Sequence, residues 1–110
     1  MQSEINRLEL SREAHRPARL ADAGKRLKTA RKGCNLRHQD VVAKTKRIAK
    51  TLGPEFAIPM SRLADIEDGR MIPTIYKLSS LCAVYRLEMP QVLKWYGVQN
   101  RPLLRSAAAA

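Results

Sequence analysis

The chain has 110 residues, of which 45% are hydrophobic and only 5% aromatic, so we expect one folded domain with an aliphatic core rather than two domains. Its formal net charge of +11 and pI of about 10.4 indicate a polyanionic partner. No apolar run approaches the roughly 18 residues that cross a bilayer, and Cys34 and Cys82 show neither zinc-motif nor disulfide-framework spacing. We therefore predict a soluble intracellular protein without a metal, a cofactor or a membrane contact.

The N-terminal segment mixes charges, with three Arg and three Glu in residues 1–17. This order is compatible with a frayed helix of salt-bridged spacing or with a disordered arm. We interpret residues 1–17 as a weakly ordered arm that Pro17 closes. The basic charge lies further on, because residues 18–52 carry eleven Lys and Arg against Asp22 and Asp40, a net +9.

Two basic helices are predicted in that segment. The first runs from about residue 17 to 32, and Gly33 ends it. Its apolar face holds Leu20, Ala23, Leu27 and Ala30. The second runs from about residue 37 to 52, and Gly53-Pro54 stops it. Its apolar face holds Val41, Thr45, Ile48 and Leu52.

Three shorter helices are predicted after a connector. The connector, residues 55–59, contains the only Phe, which we expect to anchor it in the core. The third helix spans about residues 60–68 and ends at Gly69 in the left-handed conformation. The fourth opens at Pro73-Thr74 and is expected to be the buried central helix, and the fifth runs from Pro90 to Gly97. The fourth helix's apolar stripe comprises Ile75, Leu78, Leu81, Cys82 and Tyr85. Since no segment alternates like a strand, we predict an all-α fold.

The order of these apolar and glycine positions resembles the Cro/phage-repressor type of helix-turn-helix regulator, the XRE-like family of bacteria and phages. The resemblance covers about residues 20–97, and its most specific part is Ile66-Glu67-x-Gly69 followed by Pro73. The other matching residues are Gly24, Leu27, Arg31, Leu36, Val41, Val42, Leu63, Leu78 and Leu81. It implies a five-helix, lambda-repressor-like domain over residues 18–97, with residues 98–110 as a C-terminal tail.

The chain departs from the family pattern in two places. Val42 and Glu67 lie 25 residues apart, further than is common in the family, so we expect a second helix that runs on beyond its usual end. A Ser or Thr commonly caps the third helix, whereas this chain has Pro59, and Ser61 is the candidate cap instead.

The resemblance implies that the third helix enters the major groove of DNA and contacts base edges with its first residues. The candidate base contacts are Met60, Ser61, Arg62 and Asp65. Arg62 is suited to a bidentate pair with guanine, although contact with a phosphate alone or pairing with Asp65 is left open. The family's matching Glu pairs with an Arg of the first helix, which implies a structural ion pair between Glu67 and Arg31.

Affinity is expected to come from phosphate contacts at the end of the first helix and along the second. The candidates are Lys25, Lys28, Lys32, Arg37, His38 and Lys44. Whether the basic residues of the lengthened second helix contact DNA or only face solvent is left open.

These observations predict a sequence-specific DNA-binding transcription regulator of the bacterial cytoplasm, associated with the nucleoid. Its partner would be double-stranded DNA, with a homodimer possible and no small-molecule ligand evident. No nucleophile–base pair or phosphate-binding glycine loop is present, so we do not expect an enzyme. Two alternatives share the fold: a helical adapter that binds a protein partner, and an antitoxin-like repressor.

Overall fold

The structure is a computed structural model that describes the backbone of residues 2–98 and the side chains of residues 16–98. Over this range the chain is all-helical without strands, as predicted. The five helices are α1 (Gln2–Gly33), α2 (His38–Leu52), α3 (Met60–Glu67), α4 (Ile75–Tyr85) and α5 (Met89–Trp95). A 3₁₀ turn, Pro54–Phe56, lies between α2 and α3. None of these helices combines the length and hydropathy needed to span a bilayer.

Four of the five helices end in the same way, with one residue in the left-handed conformation. These residues are Asn35, Gly69, Arg86 and Gly97, with φ of 58°, 74°, 57° and 83°. Each lets the following N–H reach back to a carbonyl of the last turn, as in Leu36 to Arg31 (3.2 Å) and Arg70 to Asp65 (2.9 Å). This closure satisfies carbonyl groups that the helix end would leave unpaired.

The core lies where α1, α2, α3 and α4 meet, and α5 closes one side. Its fully buried side chains include Leu27, Val41, Leu63, Ile66 and Leu81. Val92 brings α5 onto the same cluster. The core is aliphatic, as the composition predicted, and Tyr85 is its one buried aromatic residue among those described.

The connector between α2 and α3 is fastened to both neighbouring helices by hydrogen bonds. The Ile58 N–H donates to Thr45 Oγ1 of α2 at 3.1 Å. From α4, Ser80 Oγ donates to the Phe56 carbonyl at 2.7 Å and Lys77 Nζ donates to the Ala57 carbonyl at 2.9 Å. Since these groups are buried or partly buried, the inserted segment is an integral part of the fold.

Several predictions about the first helix need correction. Pro17 does not close an arm, because α1 runs through it from Gln2 to Gly33. Proline removes one backbone hydrogen bond and crowds the preceding turn, but its neighbours Arg16, Ala18, Arg19 and Leu20 are all good helix formers. Gly33 is the last residue of α1, whereas the left-handed residue that ends the helix is Asn35.

Other corrections concern single side chains. Ile58, 1% exposed, anchors the connector, while Phe56 is only half-buried and packs edge-on against Tyr76. Leu52 and Ile75 are exposed, because each lies at the end of its helix, beyond the neighbours that cover the rest of its face. Ser61 does not cap α3, whose first residue is already Met60. The predicted tail lies outside the described residues, apart from Val98.

Candidate nucleic-acid interface

α3 has one face in the core and the other in solvent. Leu63 and Ile66 are completely buried, and Glu67 is buried beside them. In contrast, Met60, Ser61 and Arg62 are exposed on the first turn. Pro59 precedes the helix with φ −65° and ψ 156° and supplies no side-chain cap. The exposed turn therefore consists of the predicted base-contacting residues, with Asp65 half-buried one turn later.

The buried end of α3 is held by a cluster of three side chains. Arg31 Nε donates to Glu67 Oε2 at 2.7 Å, and Arg31 Nη2 donates to Oε1 at 3.2 Å. His38 Nε2 lies 2.9 Å from Glu67 Oε1. Arg31 Nη1 also donates to the Leu36 carbonyl at 2.9 Å. The expected Arg31–Glu67 ion pair is therefore present, and it joins α3 to α1 and to the loop before α2.

The electrostatics at Arg31 favour its charged form. The hydrogen bond to Glu67 raises the pKa of Arg31 above its ordinary value, although burial acts in the opposite direction. A bidentate guanidinium–carboxylate pair has the geometry that best offsets the loss of hydration. Glu67 is thus neutralised in place and presents no free negative charge to a polyanion.

The backbone of α3 approaches α1 so closely that only small residues fit between them. A Cβ on Gly24 would lie 2.5 Å from the carbonyl oxygens of both Ile66 and Glu67. At the turn after α3, a Cβ on Gly69 would lie 2.7 Å from Cα of Ala21. This contact fixes the C-terminal end of α3 against α1, while its first turn remains exposed.

The other acidic residue of α3, Asp65, is partly compensated. Asp65 Oδ1 lies 3.9 Å from Nη1 of Arg70, an exposed residue to which the sequence analysis assigned no role. The left-handed conformation of Gly69 turns the chain so that Arg70 comes back toward Asp65. The sequence Asp68-Gly69-Arg70 is the signal from which this position of Arg70 could have been predicted. Among the described residues, Arg62 forms no ion pair, either with Asp65 or with another acid.

The structure separates the predicted phosphate contacts into three groups. Lys28 lies on the flank of α1 next to α3, since it is four residues from Gly24, and Lys32 and Arg37 are exposed near the α1–α2 loop. Lys25 instead lines a hollow of about 400 Å³ beside Trp95 of α5. Lys44 lines another hollow with Val84 of α4 and Arg86, the residue that follows α4.

His38 and Arg37 already have partners within the protein. Nε2 of His38 is engaged with the Glu67 carboxylate, so Nδ1 of the half-exposed ring is the remaining atom, and it can donate to a phosphate only when both ring nitrogens carry a proton. Arg37 contacts Asp40 weakly at 3.4 Å, while the Asp40 carboxylate accepts the Arg37 N–H at 2.8 Å. These hydrogen bonds hold the pKa of Asp40 below its usual value and cap α2.

Nothing in the described residues suggests a metal centre, since no group of three or more His, Cys, Asp and Glu side chains converges there. Both cysteines are free thiols, with Cys34 exposed and Cys82 buried. Comparisons with known proteins found no matching family model, no similar curated protein and no similar solved structure.

Proposed function

We propose that this protein is a DNA-binding transcription regulator of the Cro/phage-repressor type, with a lambda-repressor-like domain whose second helix is lengthened. The observation that carries the proposal is the arrangement of α3. Its inner face and C-terminal end are fixed by Leu63, Ile66 and the buried Glu67, while its first turn projects into solvent. A rigid short helix with an exposed N-terminal turn is the element that such regulators insert into the major groove.

Arg62 is the principal base-reading residue in this proposal. It is exposed, and because Asp65 lies near Arg70, the Arg62 guanidinium is available for a bidentate pair with guanine O6 and N7. Such a pair discriminates between bases by ~1–3 kcal/mol. Ser61 supplies a hydroxyl for one hydrogen bond. Met60, 46% exposed, offers apolar contact to a thymine methyl group.

Phosphate contacts would surround α3 on the α1 side. Lys28, Lys32, Arg37 and Nδ1 of His38 belong to this proposed footprint, and they are exposed or half-exposed. Lys25 lies further round α1, and Lys44 lies on the opposite flank of α2. We therefore assign the electrostatic contribution to the first group, and not to Lys25 or Lys44.

The salt dependence of DNA binding tests this assignment. Affinity for a labelled duplex, measured by fluorescence anisotropy between 50 and 200 mM salt, is expected to fall linearly on a log–log plot. Lys28→Ser should reduce the slope by roughly 0.9, the value for one phosphate contact. Lys94→Ser removes the same charge from exposed α5 and should leave the slope unchanged. Equal effects of the two substitutions would contradict the proposed footprint.

The regulator would act in the bacterial cytoplasm on the nucleoid, as a monomer or a homodimer. In a dimer, two copies of α3 would read half-sites about one helical turn apart. A second candidate function, that of a helical adapter, is favoured by one specific observation, the groove described next.

A further inference from the structure

A basic groove with an apolar floor lies between α2 and the C-terminal end of α4. Adjoining hollows of about 320, 220 and 300 Å³ make up this α2–α4 groove. Its cationic residues are Lys44 and Arg47 from α2 and Arg86 from the end of α4. Leu36, Ile48 and Val84 form the apolar part of its lining.

Among the described residues, the three cations of the α2–α4 groove have no close acidic partner, although Lys44 adds to the hydrogen bonds from Arg37 in lowering the pKa of Asp40. Within residues 16–98, none of them forms an ion pair. The one acid that lines the groove, Asp40, is engaged by Arg37 through both its backbone N–H and its guanidinium. Three like charges near one another repel, so an anionic partner would relieve an unfavourable arrangement.

The backbone at Arg86 is a second, independent feature of the groove. Arg86 has φ 57° and ψ 46°, the left-handed conformation that glycine adopts without steric cost and other residues adopt at a cost. α3 and α5 are followed by glycine at the corresponding position, Gly69 and Gly97. An arginine at this position gives up stability to place a cation at the groove, which is a pattern associated with functional sites.

The groove lies on the flank of α2 away from α3. His38, which contacts Glu67 of α3, and Lys44 are six residues apart and therefore lie about 120° apart around the helix axis. A duplex held by the exposed turn of α3 would leave this flank of α2 accessible. The apolar floor also distinguishes the groove from a surface that meets only phosphates.

We infer that the α2–α4 groove binds an acidic segment of a partner protein, with an apolar side chain of that segment packed on Leu36, Ile48 and Val84. The carboxylates of the segment would pair with Lys44, Arg47 and Arg86. The inference stands on the groove itself and is independent of the function proposed for α3.

A synthetic peptide tests this inference directly. The probe is a short fluorescein-labelled peptide of Asp and Glu with two Leu residues, compared with the same peptide carrying Ser in place of Leu. Lys44→Glu/Arg47→Glu should weaken binding of the Leu-containing peptide on the order of tenfold or more. Lys46→Glu/Lys50→Glu makes the same charge change on exposed positions of α2 and should have little effect. In NMR spectra, the backbone amide chemical shifts of Leu36, Ile48 and Val84 should change as the Leu-containing peptide is added.

Arg86→Gly provides a test that does not depend on reversing charges. It should raise the melting temperature, because glycine relieves the left-handed strain, and yet weaken peptide binding. A purely structural role for Arg86 would not produce these opposite effects. Three results would each overturn the inference. The two charge-reversed pairs could weaken peptide binding equally, or the Leu-free peptide could bind as well as the Leu-containing one. The groove variant could also lose binding to duplex DNA and keep binding to the peptide.

Discussion

Glu67 lies in the protein interior, where its side chain is 3% exposed and contacts both Arg31 and His38. A carboxylate in such surroundings is stable only while its partners remain. Leaving one buried charge unpaired costs much more folding free energy than replacing both partners by apolar residues. The pair therefore adds little net stability but determines where the C-terminal end of α3 lies. We regard it as a positioning element for the exposed turn, not as a contact with DNA.

The first prediction concerns the two halves of this pair. Arg31→Met leaves Glu67 buried without its guanidinium and should lower the free energy of unfolding by about 3–5 kcal/mol. The double variant Arg31→Met/Glu67→Leu removes both charges and should be more stable than the single variant. Urea denaturation of the wild type, the double variant and both single variants, Arg31→Met and Glu67→Leu, checks the order. A double variant as unstable as the sum of the single losses would contradict a coupled pair.

Tyr96 gives a prediction about pH. Burial raises the pKa of Tyr96 to about 12, above the ordinary value of 10. In the unfolded chain the Tyr96 phenol ionises near pH 10, before the buried phenol of the folded protein does. The free energy of unfolding is therefore undiminished by this group below pH 10 and falls as pH rises from 10 toward 12. Tyr85, whose pKa burial also raises, acts in the same direction.

Tyr96→Phe should therefore reduce the loss of stability between pH 9 and pH 11, measured by urea denaturation at each pH. At neutral pH the variant should be at least as stable as the wild type, because the Tyr96 hydroxyl is buried with no hydrogen-bond partner in the described part of the chain. A steeper alkaline loss in the variant would rule out this account.

At the scale of elements, the contact between α1 and the end of α3 tolerates only glycine at position 24. Gly24→Ala places Cβ 2.5 Å from two carbonyl oxygens, so the helices must separate, and we expect a loss of ~1–3 kcal/mol or more. Gly33→Ala is the matched control, because nothing lies within 4 Å of its Cβ and it is helical. That control should gain roughly 0.5–1 kcal/mol. Thermal unfolding of both variants measures these opposite signs.

The helices were largely predictable because local rules decide them. Helical spacing of apolar residues together with Gly53-Pro54, Gly69, Pro73 and Gly97 predicted α2 to α5 to within about two residues. Pro17 misled because proline usually ends or kinks a helix, whereas α1 continues through it. The exposure of Leu52 and Ile75 was not predictable, because it depends on which neighbours reach the helix ends.

The candidate site was predictable only in part, for the same reason. The Arg31–Glu67 pair followed from the family resemblance and is present. The separation of Lys25 and Lys44 from Lys28 was not predicted, because it depends on how each helix is rotated against its neighbours. Arg70 and Arg86 gain their positions from left-handed residues at helix ends, a feature that charge counting along the sequence does not detect.

At the scale of the whole molecule, the cations that line the α2–α4 groove are different residues from those proposed to contact DNA around α3. The proposed DNA contacts surround the exposed turn of α3, whereas the groove lies about 120° further round α2. If both proposals hold, the protein would bind DNA and an acidic protein segment at the same time. The effect of the cations around α3 and that of the groove cations should therefore be measured separately, because a single measurement of DNA affinity would combine them.

The central claim is that α3 reads base sequence through Arg62. Selection of bound sequences from a random duplex library at about 0.15 M salt, with wild type, Arg62→Ala and the exposed control Lys50→Ala, tests it most directly. We predict a recurrent motif for the wild type and the control, and for Arg62→Ala a motif that has lost its preference for guanine at one position, at a cost of ~1–3 kcal/mol. Binding without any enriched motif, or an unchanged motif in Arg62→Ala, would contradict the account.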